Sequence, residues 1–257
     1  MDRPLRKNRQ RPRNKMEGMI YGVHPVLEAL ESGQEVDRIF VTRGRQESVN
    51  PILEAAKERG IHVKFVPVEK LQRLTKKNHQ GVIAFLSAVS FAELDHVVGD
   101  CYERGETPLI VVLDRVTDVR NVGAIARSAE CCGAHALVIP EQQSAPMNAD
   151  AVKSSAGALL RLPICRVKNL SHALADLENS GLSIVGCTEK GDSLLAEADF
   201  TLPLALVLGS EEDGISPAVW KGCRTHAKIP TVGELGSLNV SVAAGMALYE
   251  VLRQRGV

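Results

Sequence analysis

Residues 109–139 read LIVVLDRVTDVRNVGAIARSAECCGAHALVI. The stretch opens on five consecutive apolar residues, Leu109 to Leu113, the pattern of a strand buried on both faces of a parallel sheet. A helix is predicted from about Val122 to Cys132, ended by Gly133, and Ala136 to Ile139 forms the next strand. Strand, helix and strand make one βαβ unit, and the expected fold class is therefore α/β with a mainly parallel sheet. Open sheets of this kind bind ligands beyond the carboxyl ends of their strands, which directs attention to Asp114 through Gly123.

Downstream, strands are predicted at Leu182 to Cys187, Leu204 to Leu208 and Ala227 to Ile229, with a long helix from about Leu238 to Arg253. Upstream, helical signals at His24 to Leu30, Val49 to Arg59 and Val68 to Leu74 alternate with strand signals at Asp37 to Thr42, Ile61 to Val66 and Gly81 to Leu86. That alternation predicts a second, smaller α/β domain over residues 18–88. Residues 89–107 are more polar and acidic and read as a linker, with a helix from Phe91 to Tyr102, and residues 108–257 form the main domain.

Of 257 residues, 44% are hydrophobic and 24% charged, an ordinary globular composition, and no apolar run approaches the roughly 20 residues of a membrane helix. Six cysteines without a CxxC pair fit reduced thiols in a cytoplasm, packed as small apolar residues, and argue against a metal site. The zero net charge is unevenly spread: residues 1–16 carry seven basic side chains against Asp2 alone. Residues 1–17 are expected to be a disordered basic arm that grips phosphates, with a merely solubilising tail as the alternative.

Three loops could carry chemistry. In the first, Asn121 stands where an N-cap belongs, Gly123 opens the first helical turn, and Arg127 lies four residues on, so an anion at the helix N-terminus would meet free N–H groups and a guanidinium. A capped helix with a surface arginine explains the same residues equally well. In the second, Leu208-Gly209-Ser210-Glu211-Glu212-Asp213-Gly214 follows an apolar strand; Gly209 permits close backbone approach, while the three acids alone read as a solvated loop. In the third, Ile229-Pro230 and a glycine-containing loop lead to Ser237-Leu238-Asn239-Val240-Ser241-Val242-Ala243, where Ser237 and Asn239 are polar caps for a helix lined by Ala243, Ala244, Gly245 and Ala247.

Taken in order, Asn121-x-Gly123-x-x-x-Arg127, Leu208-Gly209-Ser210-Glu211 with Gly214, and Ile229-Pro230 with Ser237 to Ala243 resemble the three motifs of the SpoU (TrmH) family of SPOUT RNA methyltransferases. Tyr21-Gly22-Val23-His24-Pro25-Val26 and Asn78-His79-Gln80-Gly81-Val82 are similar to the N-terminal substrate-binding domain of its RlmB-type members, which methylate a guanosine ribose in large-subunit ribosomal RNA. The resemblance implies a trefoil-knotted domain binding S-adenosyl-L-methionine, a small RNA-binding domain like certain ribosomal proteins, and a cytoplasmic homodimer. It places cofactor contacts on Gly209, Ile229 and Leu238 and catalytic positions on Asn121, Arg127, Glu211, Ser237 and Asn239, with no metal. Glu212-Asp213 departs from the glycine that many members carry after this glutamate.

The implied reaction is methyl transfer to a ribose 2′-hydroxyl. The family proposal makes Arg127 a base; a guanidinium with a pKa above about 12 is better suited to clamping a phosphate and stabilising a developing alkoxide. Two alternatives are a transfer RNA 2′-O-methyltransferase of the TrmH kind, against which residues 18–87 weigh, and a non-catalytic RNA-binding assembly factor. His24, His79, His135 and His226 are expected to be structural, or RNA contacts in the case of the first two.

Overall fold

The computed structural model describes residues 18–44 and 46–257; the basic arm expected over 1–17 lies outside them. Short strand and helix signals over residues 19–86 resolve into a four-stranded sheet. Its strands, β1 (Met19–Tyr21), β2 (Val36–Thr42), β3 (Val63–Val66) and β4 (Val82–Leu86), lie in the order β1-β4-β2-β3, with β3 parallel to β2 and the other pairs antiparallel. The apolar sides of α1 (Val23–Glu31) and α2 (Gln46–Glu58) meet one face through Val26, Leu30, Val49 and Ile52. The short α3 (Val68–Leu74) sets Leu71 on the other. β1, only three residues long, has no periodicity to announce it.

The remaining chain runs β5 (Phe91–Ala92), α4 (Leu94–Glu103), β6 (Leu109–Leu113), α5 (Val119–Cys131), β7 (Ala136–Pro140), α6 (Ala149–Ser154), β8 (Ile164–Val167), α7 (Leu170–Asn179), β9 (Ser183–Cys187), β10 (Ser193–Leu194), β11 (Leu204–Leu208), α8 (Pro217–Trp220), β12 (Thr225–Lys228) and α9 (Val240–Arg255). Its eight strands form a parallel sheet in the order β10-β12-β9-β11-β6-β7-β8-β5. The apolar runs become its centre: β6 pairs with β11, Leu109 opposite Leu204 through Leu113 opposite Leu208, and every residue of both is buried. From β6 the chain moves outward through β7 and β8, then crosses over to β9 and returns to insert β11 beside β6. The carboxyl ends of β6 and β11 thus flank the point where strand order reverses.

Two expectations are corrected. Residues 89–107 are no linker, because Phe91 and Ala92 pair with Ile164 and Cys165 at the sheet edge and α4 buries Leu94, Val98 and Cys101. The last strand ends at Lys228, so Ile229 leaves the sheet. The small residues Ala244 and Ala247 of α9 let α5 pack closely, with Val122, Ile125, Ala126 and Ala129 in the same core. Of the six free cysteines, Cys101, Cys165, Cys187 and Cys223 are buried as expected, while Cys131 is exposed. No helix among the described residues is long and apolar enough to cross a membrane.

Candidate active site

α5 begins earlier than its sequence suggests. Asp118, not Asn121, is the N-cap: its carboxylate accepts the Arg120 backbone N–H at 2.7 Å. The Arg120 guanidinium and these N–H bonds hold the Asp118 carboxyl down to a pKa of about 2. Asn121 therefore lies inside the first turn with its side chain free for other partners. Gly123 is also reassigned, because a Cβ there would stand 2.4 Å from Ser154 Cβ and 2.8 Å from the Ser154 carbonyl carbon. The glycine lets α6 approach α5; it does not open the helix end to an anion.

Asn239 ties the three loops together. As N-cap of α9 its Oδ1 accepts the Ser241 N–H at 2.9 Å and the Ser241 hydroxyl at 2.6 Å. That fixes the amide so its NH₂ faces away from the helix, where it donates to Asn121 Oδ1 at 3.1 Å and to Glu211 Oε1. Asn121, Glu211 and Asn239, with Asn239 118 positions from Asn121 and 28 from Glu211, thus form one hydrogen-bonded set. Ser237 is exposed in the preceding loop and lines the adjoining cleft without capping α9. Arg127 is not drawn into the set: it is exposed on α5, and among the described residues it forms no salt bridge.

The loop after β11 is held by Gly209, which the sequence singles out, and by Asp114 and Arg115, to which it assigns no role. Gly209 is required, since a Cβ would fall 2.1 Å from the Gly214 carbonyl carbon and 2.3 Å from Ile215 N. Ser210 and Gly214 exchange backbone hydrogen bonds at 3.1 and 3.0 Å. Arg115, itself at φ +60°, donates to Asp213 at 2.9 Å and to the Gly214 carbonyl at 3.0 Å, and the buried Asp114 accepts from Ser216 N. Their only sequence signal is an Asp-Arg pair directly after a buried strand.

A cleft opens between this loop, the end of β9 and the segment before α9. Leu208, Ile229, Leu238, Val240 and Ala243 give it an apolar wall; Thr188, Glu189, Ser210 and Glu211 supply polar groups, and Gly209 lies at its edge. Among the described residues, the peptide groups of 229–238 make no backbone hydrogen bond, so a run of N–H and C=O groups is available to a ligand. An apolar slot, free peptide groups and three carboxylates, Glu189, Glu211 and Glu212, suit a purine with a cationic tail, the chemistry of S-adenosylmethionine. The three expected cofactor residues, Gly209, Ile229 and Leu238, all line this cleft. Cys187 lines it too, but burial raises its thiol to about 11, which leaves it neutral and a poor nucleophile. Outside the cleft, His135 Nδ1 accepts the Leu109 N–H, His79 Nδ1 accepts the Gly81 N–H, and His226 stacks on Trp220 at 3.8 Å. All three fit the structural roles expected of them.

Residues 108–249 match the SpoU rRNA Methylase family, and residues 19–92 match a family described as RNA 2′-O ribose methyltransferase substrate binding. A Bacillus subtilis protein, YacO, named for the TrmH family of tRNA/rRNA methyltransferases, is 35% identical over 92% of this chain and 95% of its own length. The crystal structure of the SpoU methyltransferase AviRb from Streptomyces viridochromogenes, in complex with the cofactor AdoMet, is similar at 29% identity over 95% of this chain and 94% of its own, with a TM-score of 0.59. The TrmH/SpoU tRNA modifying enzyme of A. aeolicus is 32% identical over 62% of this chain and 85% of its own, with a TM-score of 0.54.

Proposed function

Because the chain belongs to the SpoU rRNA methylase family and is an S-adenosylmethionine-dependent RNA 2′-O-ribose methyltransferase, we propose that it methylates a guanosine ribose in large-subunit ribosomal RNA. The observation that carries this reading is the substrate-binding domain over residues 19–92. The A. aeolicus tRNA modifying enzyme lines up with 62% of the chain, a length that fits the larger domain alone.

Bound in the cleft, S-adenosylmethionine supplies an electrophilic methyl group. The protein must bring the 2′-hydroxyl oxygen into line with that methyl and disperse the charge as the hydroxyl proton passes to solvent water. Asn239, locked by its capping bonds, holds Asn121 and Glu211 in fixed positions, with Glu211 on the wall of the cleft. We assign these three, with Ser237, to gripping the target nucleotide. The Arg127 guanidinium clamps the phosphate beside the ribose, where its charge stabilises a developing alkoxide.

The cofactor segments around Gly209 and 229–238 are inferred to form the trefoil knot that the family resemblance implies. A homodimer is inferred across the outer face of α9. Val242, Met246 and Tyr249, spaced three and four apart on α9, are exposed beside an apolar groove that reaches Leu195 and Pro230. Gly245, on the same groove, stands near Ser128, next to Arg127. Pairing there would bring Arg127 close to a partner chain, in keeping with its position outside its own cleft. Sedimentation at twice the monomer mass, reversed by Met246→Asp, checks it. A cytoplasmic location completes the proposal.

The deciding experiment is transfer of labelled methyl groups to unmodified large-subunit ribosomal RNA and to unmodified transfer RNA, with nuclease mapping of the product. Label on one guanosine ribose of ribosomal RNA is expected. Label confined to transfer RNA would overturn the substrate assignment and leave the chemistry standing.

A further inference from the structure

One face of the smaller sheet is only partly covered. Tyr21 and Phe40 both stand opposite Ile83, and Phe85 stands opposite Arg38, so the three rings share that face. The seven-residue α3 covers its middle through Leu71 and Leu74, leaving Tyr21, Phe40 and Phe85 partly exposed. Phe40 and Phe85 meet edge to face at 5.3 Å.

Cations stand over these rings. Lys70 Nζ is 4.9 Å from the Phe40 centroid, Lys77 Nζ is 5.8 Å from that of Tyr21, and Lys64 lies opposite Phe40 on β3. Between residues 64 and 77 there are five basic side chains and one acid, Glu69. Lys64, Lys70, Arg73, Lys76 and Lys77 are exposed, and among the described residues none forms a salt bridge, whereas Arg38, Arg115 and Arg166 all do. A patch of exposed, uncompensated cations around aromatic rings has the chemistry of a single-stranded nucleic-acid platform, because rings stack on bases of any sequence while ammonium groups take the phosphates.

We propose that this face holds an unpaired segment of the RNA substrate, with bases against Tyr21, Phe40 and Phe85 and phosphates on Lys70 and Lys77. The proposal rests on the RNA-methyltransferase reading above and adds to it a surface and a strand state. A duplex keeps its bases stacked inside and would leave the rings unused. On binding, the two lysines swing from the rings to the backbone.

The test compares wild type with a Lys70→Ala/Lys77→Ala double variant, both exposed positions whose loss leaves the core intact. KM for the ribosomal RNA transcript is expected to rise about tenfold with kcat and S-adenosylmethionine affinity unchanged. The slope of log affinity against log salt should shrink by roughly 1.4, since each single-strand phosphate contact contributes about 0.7. Single-stranded oligouridylate should compete with the transcript, and a blunt RNA duplex should not. RNA carrying 4-thiouridine should photocrosslink to Tyr21 or Phe40. Unchanged KM and salt slope in a variant that still transfers methyl groups would overturn the surface alone. A wild-type enzyme that methylates neither ribosomal nor transfer RNA would overturn the parent reading, and this one with it.

Discussion

Arg127 is the residue on which the proposed chemistry depends most and which the fold constrains least. A lysine at that position keeps one positive charge but loses the planar fork that grips a phosphate at two points. Arg127→Lys is therefore expected to lower kcat/KM by about a hundredfold or more, while calorimetric S-adenosylmethionine binding stays within twofold; full turnover would remove both roles considered for it. Asn239 is the opposite case, a side chain with two jobs that can be separated. Asn239→Ala removes the cap of α9, at a cost of about 1 kcal/mol, and also the amide that joins Asn121 to Glu211. Asn239→Ser keeps a capping oxygen without an amide NH₂. The serine variant should regain the thermal stability of wild type and remain as inactive as the alanine variant, as unfolding curves beside transfer rates will show. Recovery of both together would reduce Asn239 to a cap.

At the scale of elements, Gly123 shows how packing overrides helix propensity. Alanine is the better helix former by about 1 kcal/mol, yet a methyl group on Gly123 would press into the Ser154 and Ser155 backbone of α6. Gly99, inside α4, has nothing within 4 Å of its missing Cβ. Gly99→Ala is expected to raise the melting temperature and Gly123→Ala to lower it; a rise in both would show that α5 and α6 can part freely. The same contrast explains what could be read from the sequence. β6 and β11 are legible because each is five apolar residues in a row, buried on both faces. β8 is not, because Arg166 in its middle looks like a solvent-facing residue, and its burial depends on Asp37, 129 positions away. α7 carries a plain signal, an Asn169 cap and Leu170, Leu174 and Leu177 at helical spacing, and belongs with the legible elements although it is absent from the expected ones. At the site, each motif residue was recognisable through the family pattern. The bonds that organise them, Asn239 to Asn121 and Glu211 and Arg115 to Asp213, span distances in sequence that no local pattern encodes.

At the scale of the whole molecule, the question is how an RNA held by one domain presents a single ribose to the other. Arg166 of the large sheet reaches across to Asp37 of the small one, donating to its carboxylate at 2.7 Å and to its carbonyl at 2.9 Å, with the guanidinium 3.6 Å from the Phe91 ring. Both side chains are nearly buried, at 10% and 6% exposure, so burial pulls the Arg166 pKa down while Asp37 pushes it back up. Ala88 N adds a backbone bond across the same seam to the Met147 carbonyl at 2.7 Å. A desolvated ion pair of this kind contributes little net stability, but cutting it leaves a charge stranded in the seam, which favours opening. Its value lies in fixing direction, because an ångström of misplacement at the reacting atoms is expensive in rate. Arg166→Ala is accordingly expected to leave S-adenosylmethionine affinity unchanged, since the cleft is built wholly within the larger domain. KM for RNA should rise about tenfold, and small-angle scattering should report a larger radius of gyration. A variant with wild-type KM and an unaltered scattering curve would show that the remaining seam contacts set the domain angle by themselves.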